Sequence, residues 1–488
     1  MTRSRLGIAA AAAALFVVLA TANAGGYRYG ISDQAFYLPA LAKSVDASLF
    51  PRDTPVLEAQ MRLWLGDDVL GLLAGGRAVD FPALSAVLYV VGLLLLAGAI
   101  AYFMRALGAS SAAVGAALIV ATLRHHIAKT GANTLEGYFH PRMIAYGLGI
   151  FALGFVLRRR FVPAFVMIGL ALLLHTTAAL WFGSVVVAAL AWHLGRPWIW
   201  AIAVLIAGVT IGLAGWAPRM DALWLAAVAE KDYLFPSAWP LHAWVLNLSY
   251  PAVLALLYRR RVMQGRSIAG EPALIAGLIV LVIGFLISVP LSGAQIALAV
   301  QLQITRVFWV LDIAALLYLT VWLIDDVTPR LGPVWRHAAI GLLCAFSLVR
   351  GYYVLRVEAD RPLVNWRLPA DDWYDVMTWL RDQPVGLHVL ADPGHAWRYG
   401  SSVRLAASRD TVLEQIKDTA LGMYDRDVAL RVLDRVQALT NFADFSTDTM
   451  RAAGAKYQAD VVIVERPRQL DLPLLRENSR FRVYDLRQ

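Results

Sequence analysis

The chain has 488 residues, of which 59% are hydrophobic and 16% are charged, and its formal net charge at pH 7 is +9. Because soluble globular chains carry about a quarter charged residues, this composition excludes an ordinary soluble globule and indicates an integral membrane protein. The arginines fall in short clusters between apolar runs, a distribution that sets membrane orientation and does not indicate nucleic-acid binding. The single cysteine, Cys344, excludes a disulfide framework and a CxxC metal or redox site.

The first apolar run, Leu6–Ala22, follows Arg3 and Arg5 and precedes the small residues TANA. A cleaved signal peptide has the same pattern. Many more apolar segments follow, however, and proteins of that kind usually keep their first helix as an anchor. We therefore expect this segment to be retained as the first membrane span.

The first stretch outside the bilayer, residues 23–80, begins with an acid among aromatic residues, YRYGISDQAFY. The spacing of Phe36, Leu41 and Val45 after Asp33 predicts a short amphipathic helix lying along the membrane. Asp33 is then either a helix cap or a carboxylate that acts on a lipid head group. Both interpretations fit its position in the sequence.

Apolar runs long enough to cross about 30 Å of hydrocarbon predict about eleven spans. With the amino terminus in the cytoplasm, every inside loop is basic, as the positive-inside rule requires. The predicted spans are Leu6–Ala22, Phe81–Met104, Ser110–Leu123, Pro141–Leu157, Phe161–Leu174, Thr177–Trp192, Pro197–Trp216, Ala243–Tyr258, Ile268–Val289, Val307–Ile324 and Ala338–Leu355.

The loop after the third span, RHHIAKTGANTLEGYFHPR, is crowded with ionisable groups. A metal site would draw on His125, His126, Glu136 and His140, but no pair has the helical spacing that makes such a motif specific. We therefore predict no metal and no cofactor, and a divalent cation is left open. Glu136 and Arg142 are candidates for binding a polar substrate or for pairing with each other.

Polar residues also occur at the ends of later spans. His175 follows the apolar run FVMIGLALLL and is either a structural histidine or a residue that faces a cavity. Gln303 and Arg306 precede the tenth span, and Asp312 lies two helical turns deeper. Arg306 is either an interfacial arginine that snorkels or a phosphate ligand, since a guanidinium offers a planar fork of donors.

The tail is rich in charge and alternates predicted strands with helices, which predicts a small α/β domain. Its elements are a helix near Asp371–Arg381, a strand Gly386–Ala391, helices across Thr411–Leu439, and strands Asp460–Glu465 and Phe481–Leu486. A loop after the first strand is a common position for binding residues. That loop contains Asp392, His395, Trp397, Arg398 and Arg404.

The fold class expected from these features is mainly α: a polytopic transmembrane helical bundle with a cytoplasmic amino terminus and a C-terminal extracytoplasmic α/β domain. We place the transmembrane domain at residues 1–355 and the tail domain at residues 356–488. No nucleotide-binding loop, GxSxG or dinucleotide fingerprint occurs in a matching context.

With these residues in place, the chain resembles the GT-C superfamily of polytopic glycosyltransferases, in particular its bacterial members. The first-loop carboxylate of that superfamily maps onto Asp33 in GISDQAFY, and the acid of the second outside loop maps onto Glu136 in TLEGYFHPR. Asp-Gln replaces the two adjacent acids of many members, which weakens a metal-dependent mechanism. The tail segments DDWYDVMTWLRD, ADVVIVE and FRVYDL also match this pattern.

The resemblance implies transfer of a sugar from a polyprenyl-phosphate donor to an acceptor on the outer face of the bacterial cytoplasmic membrane. Asp33 would be the general base and Arg306 the phosphate ligand. Glu136, His140, Arg142, His175 and Gln303 would bind substrate. The expected partners are membrane lipid and the donor lipid, with no nucleic acid. A lipid or polysaccharide transporter and a non-catalytic envelope assembly protein are the alternatives.

Overall fold

The computed structural model describes residues 3–62, 64–75, 77–196, 198 and 218–487. The chain forms two compact units, each gathered from three stretches. The membrane unit comprises Met1–Tyr27, Val87–Arg219 and Asp232–Val364. The sheet unit comprises Arg28–Ala86, Met220–Lys231 and Asn365–Gln488. The predicted division after residue 355 is linear, whereas the chain enters the sheet unit three separate times.

The membrane unit is helical, and six helices in the described part of the chain are long and apolar enough to cross a membrane. They indicate a multi-pass membrane protein. Their bounds are Phe81–Ala106, Thr176–His193, Leu241–Met263, Glu271–Gly293, Ala297–Leu331 and Val334–Glu358. Within Ala297–Leu331 the α-helix Val307–Val321 continues into a π-helical segment, Trp322–Val327.

Four shorter apolar helices coincide with other predicted spans: Ala9–Asn23, Ser111–Ala121, Pro141–Leu157 and Phe161–Leu174. The first of them is the carboxyl-terminal part of the helix Arg3–Asn23. The predicted span Pro197–Trp216 lies outside the described residues. The number of eleven spans and the cytoplasmic amino terminus stay predictions.

Buried polar side chains join three of the membrane-unit helices. The amide of Asn23, at the end of the first helix, donates to the Ser347 carbonyl oxygen and hydroxyl, both at 3.1 Å. The Ser347 hydroxyl lies 2.7 Å from the hydroxyl of Thr122. Interhelical hydrogen bonds of this kind stabilise contacts between helices that share an apolar environment. They link the first helix to the helices Ser111–Ala121 and Pro333–Tyr352.

Several arginines of the predicted inside loops pair with acids of the same unit. Arg261 donates to Glu271, with 2.7 Å between Nε and Oε1, and Glu271 is fully buried. Arg266 and Arg260 both face Asp326. The basic clusters that the topology rule uses for orientation thus also hold the ends of neighbouring helices together.

The sheet unit contains a five-stranded sheet. Three neighbouring strands are parallel and the last two are antiparallel, so the tail is an α/β domain, as predicted. The spatial order is Asp410–Thr411, His388–Leu390, Val461–Glu465, Phe481–Asp485 and Leu474–Glu477.

Four of the described helices of this unit begin at a capping side chain, Asp221, Asp371, Asp425 or Ser446. Asp371 caps the helix that holds Trp373, with 2.9 Å between its Oδ1 and the Tyr374 amide nitrogen. The helices are Gln34–Val45, Thr54–Met61, Gly66–Ala74, Ala222–Val228, Asp372–Arg381, His395–Arg398, Val403–Ala407, Gln415–Leu421, Arg426–Ala438 and Thr447–Tyr457.

A buried ion network joins the first outside loop to the tail. Arg404 Nε lies 2.8 Å from Asp53 Oδ2, and Arg404 Nη2 lies 2.9 Å from Asp418 Oδ2. Arg431 Nη2 also donates to Asp53, at 2.9 Å. Arg404 was predicted in a binding loop, but it is fully buried. Its guanidinium neutralises two core carboxylates, so that prediction is wrong for this residue.

Candidate functional site

Asp33 precedes the helix Gln34–Val45, and its side chain makes no capping hydrogen bond. The local turn is held instead by Gln34, whose Oε1 accepts from the Gly30 amide at 2.6 Å. The capping interpretation of Asp33 is therefore not realised in this structure. The apolar side chains Phe36, Leu38 and Leu41 of this helix are buried in the core of the sheet unit, so protein covers them. The orientation of the helix along the membrane stays a prediction.

Two lysines of the same unit flank the Asp33 carboxylate. Lys417 Nζ lies 2.6 Å from Asp33 Oδ1 and 3.4 Å from the Ser32 hydroxyl. Burial lowers the pKa of Lys231, and the positive charge of Lys417 lowers it further, against the opposing effect of Glu230 and Asp33. Lys231 Nζ donates to the Ile416 carbonyl at 3.3 Å. Asp33 thus sits in a cationic environment that favours an ionised carboxylate.

In the membrane unit, Glu136 and Arg142 form a buried ion pair. Arg142 Nη2 lies 2.8 Å from Glu136 Oε1, and both side chains are 4% exposed. Arg124 approaches the other carboxylate oxygen at 3.9 Å, and the amide of Asn133 lies 3.4 Å from Oε1. Of the two interpretations of Glu136 and Arg142, the structure shows them paired with each other.

Two histidines cap neighbouring helices beside this ion pair. His140 Nδ1 accepts from the Arg142 amide at 3.0 Å, and His175 Nδ1 accepts from the Ala178 amide at 3.2 Å. The two rings lie 6.0 Å apart. In the neutral form of His175, a backbone donor at Nδ1 leaves the ring proton on Nε2. Burial holds the pKa of His175 well below its ordinary value, and the charges of His140, Arg306 and Arg142 lower it further.

Arg306 lies at the end of a short 3-10 turn, Ile304–Arg306, just before the helix Val307–Val321. Gln303 turns the chain with φ at 50°, in the left-handed region, and its carbonyl accepts from the Arg306 amide at 2.9 Å. A non-glycine residue in this conformation marks a position that its surroundings hold in place. The positive charge of Arg306 contributes to the lowered pKa of His175, and the Gln303 carbonyl holds the Arg306 backbone.

Two buried donors lie next to this cluster in the chain. The hydroxyl of Thr305 and the indole N–H of Trp309 have no hydrogen-bond partner within the described ranges. Trp309 stacks on Tyr146 with 3.8 Å between ring centroids, and the Arg142 guanidinium lies 5.6 Å from the Trp309 ring. Buried polar groups usually have a partner, so these donors mark a position where a polar ligand or water would be accommodated.

His125 pairs with the buried Asp312, with 2.9 Å between Nε2 and Oδ2. Burial acts to lower the pKa of His125, but the hydrogen bond and charge of Asp312 raise it above its ordinary value. His126 Nδ1 lies 3.1 Å from Asn133 Oδ1. In the part of the chain that the structure describes, no three His, Cys, Asp or Glu side chains are grouped to hold a metal ion.

The six predicted substrate-binding residues all belong to the membrane unit. Glu136 pairs with Arg142, the rings of His140 and His175 lie side by side, Arg306 acts on His175 through its charge, and Gln303 holds the turn before Arg306. Asp33 belongs to the sheet unit. Sequence reasoning missed Lys417 and Lys231, and it did not pair His125 with Asp312. Lys417 and Asp33 are 384 residues apart, and no local pattern connects them.

No protein-family model and no curated protein matches this sequence. A similar solved structure is that of the archaeal oligosaccharyltransferase AglB from Archaeoglobus fulgidus, in complex with an inhibitory peptide and a dolichol-phosphate. The TM-score is 0.47 and the sequence identity is 12%, and the match covers 95% of this chain and 70% of that chain. A second similar structure is that of the arabinofuranosyltransferase AftD from Mycobacteria, with a TM-score of 0.48 and a sequence identity of 15%. This match covers 100% of this chain and 40% of that chain. Such weak likeness does not establish a family.

Proposed function

We propose that this protein is an integral membrane glycosyltransferase that moves a sugar from a polyprenyl-phosphate-linked donor to an acceptor on the outer face of the bacterial cytoplasmic membrane. The observation that carries the proposal is the membrane-unit cluster. There, two capping histidines lie beside the buried Glu136–Arg142 pair, and Arg306 acts on His175 through its charge. A cluster rich in fixed donors suits a phosphate-bearing lipid.

Donor binding follows from the charges of this cluster. Arg306 supplies a forked guanidinium for the phosphate, and Arg142 is held in place by Glu136. The helices Pro141–Leu157 and Thr176–His193 both begin here, and the positive end of a helix dipole favours an anion. Because the pKa of His175 lies well below its ordinary value, the ring is neutral, and its Nε2–H can donate a hydrogen bond without adding charge.

In the proposed reaction Asp33 is the general base. Its carboxylate removes the proton of an acceptor hydroxyl as that oxygen bonds to the anomeric carbon, and the bond from that carbon to the phosphate oxygen breaks. The electron pair leaves with the polyprenyl phosphate. Lys417, with Nζ 2.6 Å from Oδ1, orients the carboxylate.

The test is transfer of labelled sugar in proteoliposomes, from polyprenyl-phosphate glucose, mannose and arabinose, to extracted envelope acceptors. Asp33→Asn is nearly isosteric and should reduce transfer by at least about 100-fold, the usual scale of general-base catalysis. Asp434→Asn is the matched control, because Asp434 is an exposed carboxylate that also pairs with a lysine. Full activity in a folded Asp33→Asn protein would remove Asp33 from the reaction.

A lipid or polysaccharide transporter is the second candidate. The observation that favours it is the His125–Asp312 pair, since ionisable groups at membrane depth often belong to substrate or proton pathways. Counterflow of a labelled lipid or glycan through reconstituted protein, with no covalent product, would select this function. Covalent product without counterflow would select the transferase.

A further inference from the structure

The sheet unit contains an open cleft at the carboxyl ends of its parallel strands. The strands His388–Leu390 and Val461–Glu465 run side by side, and the cleft lies where both end. Its volume is about 360 Å³, within the range of small-molecule sites. In α/β sheets, ligands bind at the carboxyl ends of strands, because the loops that follow the strands gather there.

One wall of the cleft consists of polar side chains that ion pairs and hydrogen bonds hold in place. Arg398 donates to Asp392 and, at 2.9 Å, to Glu465 Oε2. Arg480 holds the other Glu465 oxygen at 2.8 Å, and the Gly394 amide donates to Asp392 Oδ1 at 2.8 Å. A carboxylate accepts about four hydrogen bonds, so both acids keep accepting positions while their orientation is fixed. Oriented carboxylates and guanidinium groups suit a ligand with several hydroxyls.

The rest of the cleft surface is apolar and aromatic. Phe442 and Phe445 contribute rings whose centroids lie 5.7 Å apart, and Tyr399 contributes a third ring. Arg468 fixes this surface by donating to the Phe442 carbonyl at 3.0 Å. Trp397, next to Arg398 in the chain, is 78% exposed, which is unusual for such a large apolar side chain. Aromatic rings beside polar groups present one apolar and one hydrogen-bonding surface.

The charges of the cleft give no net attraction to an anionic ligand. The lining carries three acids, Asp392, Asp444 and Glu465, and two arginines, Arg398 and Arg468, and Arg480 pairs with Glu465, so acids and arginines balance. A phosphate or an acidic glycan would have to compete with the carboxylates that already pair with Arg398. A purely apolar ligand would leave the polar wall without partners, which is costly.

We propose that this cleft binds a neutral sugar unit, with its hydroxyls on Asp392, Arg398 and Glu465 and its apolar face on Phe442 and Phe445. This site is separate from the proposed transfer chemistry, which uses Asp33 and the membrane-unit cluster. A neutral saccharide on the sheet unit would be an acceptor or a product glycan, held in place while transfer proceeds elsewhere.

The test is saturation-transfer difference NMR on the full-length protein in nanodiscs. The probes are methyl glycosides of neutral hexoses and pentoses, their disaccharides and inorganic phosphate. We expect saturable binding of at least one neutral glycoside, weakened tenfold or more by Asp392→Asn and by Glu465→Gln. Asp434→Asn, an exposed carboxylate outside the cleft, should bind normally. Phe445→Ala should also weaken binding and provides a variant that leaves the ion pairs intact.

Several outcomes would overturn the proposal: no binding by any neutral probe, binding of phosphate instead, or neutral-sugar binding that none of the cleft variants weakens. The Asp33→Asn protein separates this inference from the proposed function. It should bind the glycosides like the wild type while losing sugar transfer. Loss of binding in Asp33→Asn, with normal binding in the cleft variants, would show that the sugar binds at the Asp33 site and not in the cleft.

Discussion

Lys417 and Asp33 form a close ion pair, with 2.6 Å between Nζ and Oδ1, although the chain separates them by 384 residues. The lysine lies on the helix Gln415–Leu421 and the aspartate just before Gln34–Val45. Both side chains are partly exposed, at 15% and 25%. A partly exposed pair adds little to stability, so its value is in orienting the carboxylate.

Replacing Lys417 should therefore affect transfer more than folding. We expect Lys417→Met to lower kcat/KM by about 10- to 100-fold, because a displaced base loses its reactive geometry. Lys417→Arg should recover part of the rate by restoring the charge. The measurement is proteoliposome transfer together with the melting temperature. Lys456→Met, which breaks an exposed pair with Asp434, is the control. Equal rates for the two methionine variants would contradict this role.

Substitutions of Arg306 test whether this side chain binds the donor phosphate. A lysine restores the charge of Arg306 but not its forked geometry, whereas alanine removes both. Arg306→Lys should keep partial activity, and Arg306→Ala should weaken donor binding by at least about tenfold, which corresponds to ~1.4 kcal/mol. The measurement is donor affinity at fixed acceptor concentration. If Arg306 only anchors its helix at the interface, alanine would lower the melting temperature and leave donor affinity unchanged.

The buried network around Arg404 should dominate the stability of the sheet unit. Arg404→Met leaves Asp418 without its arginine partner and Asp53 with Arg431 alone, so we expect a loss on the order of 3–5 kcal/mol of unfolding free energy. Pulse proteolysis of the full-length protein in denaturant measures this loss. Arg451→Met breaks an exposed pair with Asp448 and should cost less than about 1 kcal/mol. Equal losses in the two variants would show that the network is not stabilising.

The His125–Asp312 pair should make stability depend on pH. The folded protein holds the His125 proton more tightly than the unfolded chain, because the pKa of His125 is raised. The stabilisation is therefore complete below the ordinary histidine pKa, about 6.5, and is lost as pH rises through the raised pKa. We expect the melting temperature in detergent to fall by roughly 2 °C or more between pH 6 and pH 8.5.

Asp312→Asn is the matched variant, since it keeps the shape of the side chain and removes the charge. This variant should show a flatter pH profile than the wild type over the same range. His126 provides the comparison, because its ring contacts the side-chain amide of Asn133. His126→Gln should keep the wild-type slope. An unchanged slope in Asp312→Asn would assign the pH dependence to another group.

Local patterns predicted much of the fold. Short apolar segments located the strands Val461–Glu465 and Phe481–Asp485 to within one residue at each end. Hydropathy located the membrane helices, but a helix such as Ser111–Ala121, at 11 residues, is shorter than its apolar run. The helix Gln34–Val45 was also predicted, but its residues 34–41 are buried on every side and not on one apolar face. Periodicity reports that a face is apolar, not whether lipid or protein covers it.

The candidate site was predictable only in part. Glu136, His140 and Arg142 were grouped because one loop carries all three. The partners Lys417, Arg404 and Asp312 come from distant parts of the chain, and a single sequence contains no signal that joins them to Asp33, Asp53 and His125. The choice between substrate binding and ion pairing at Glu136 depends on a side-chain distance, which residue spacing does not determine.

The chain enters the sheet unit three separate times, so the parts of this unit are synthesised at different times and the unit cannot fold until the last part is made. Asp53 emerges 351 residues before its partner Arg404. At about 5–20 residues per second, the ribosome takes on the order of tens of seconds to supply that arginine. During this interval the first segment has neither its counter-ion nor the sheet against which Phe36 and Leu41 pack. The nascent protein therefore exposes the apolar side chains of this helix until its last quarter is made.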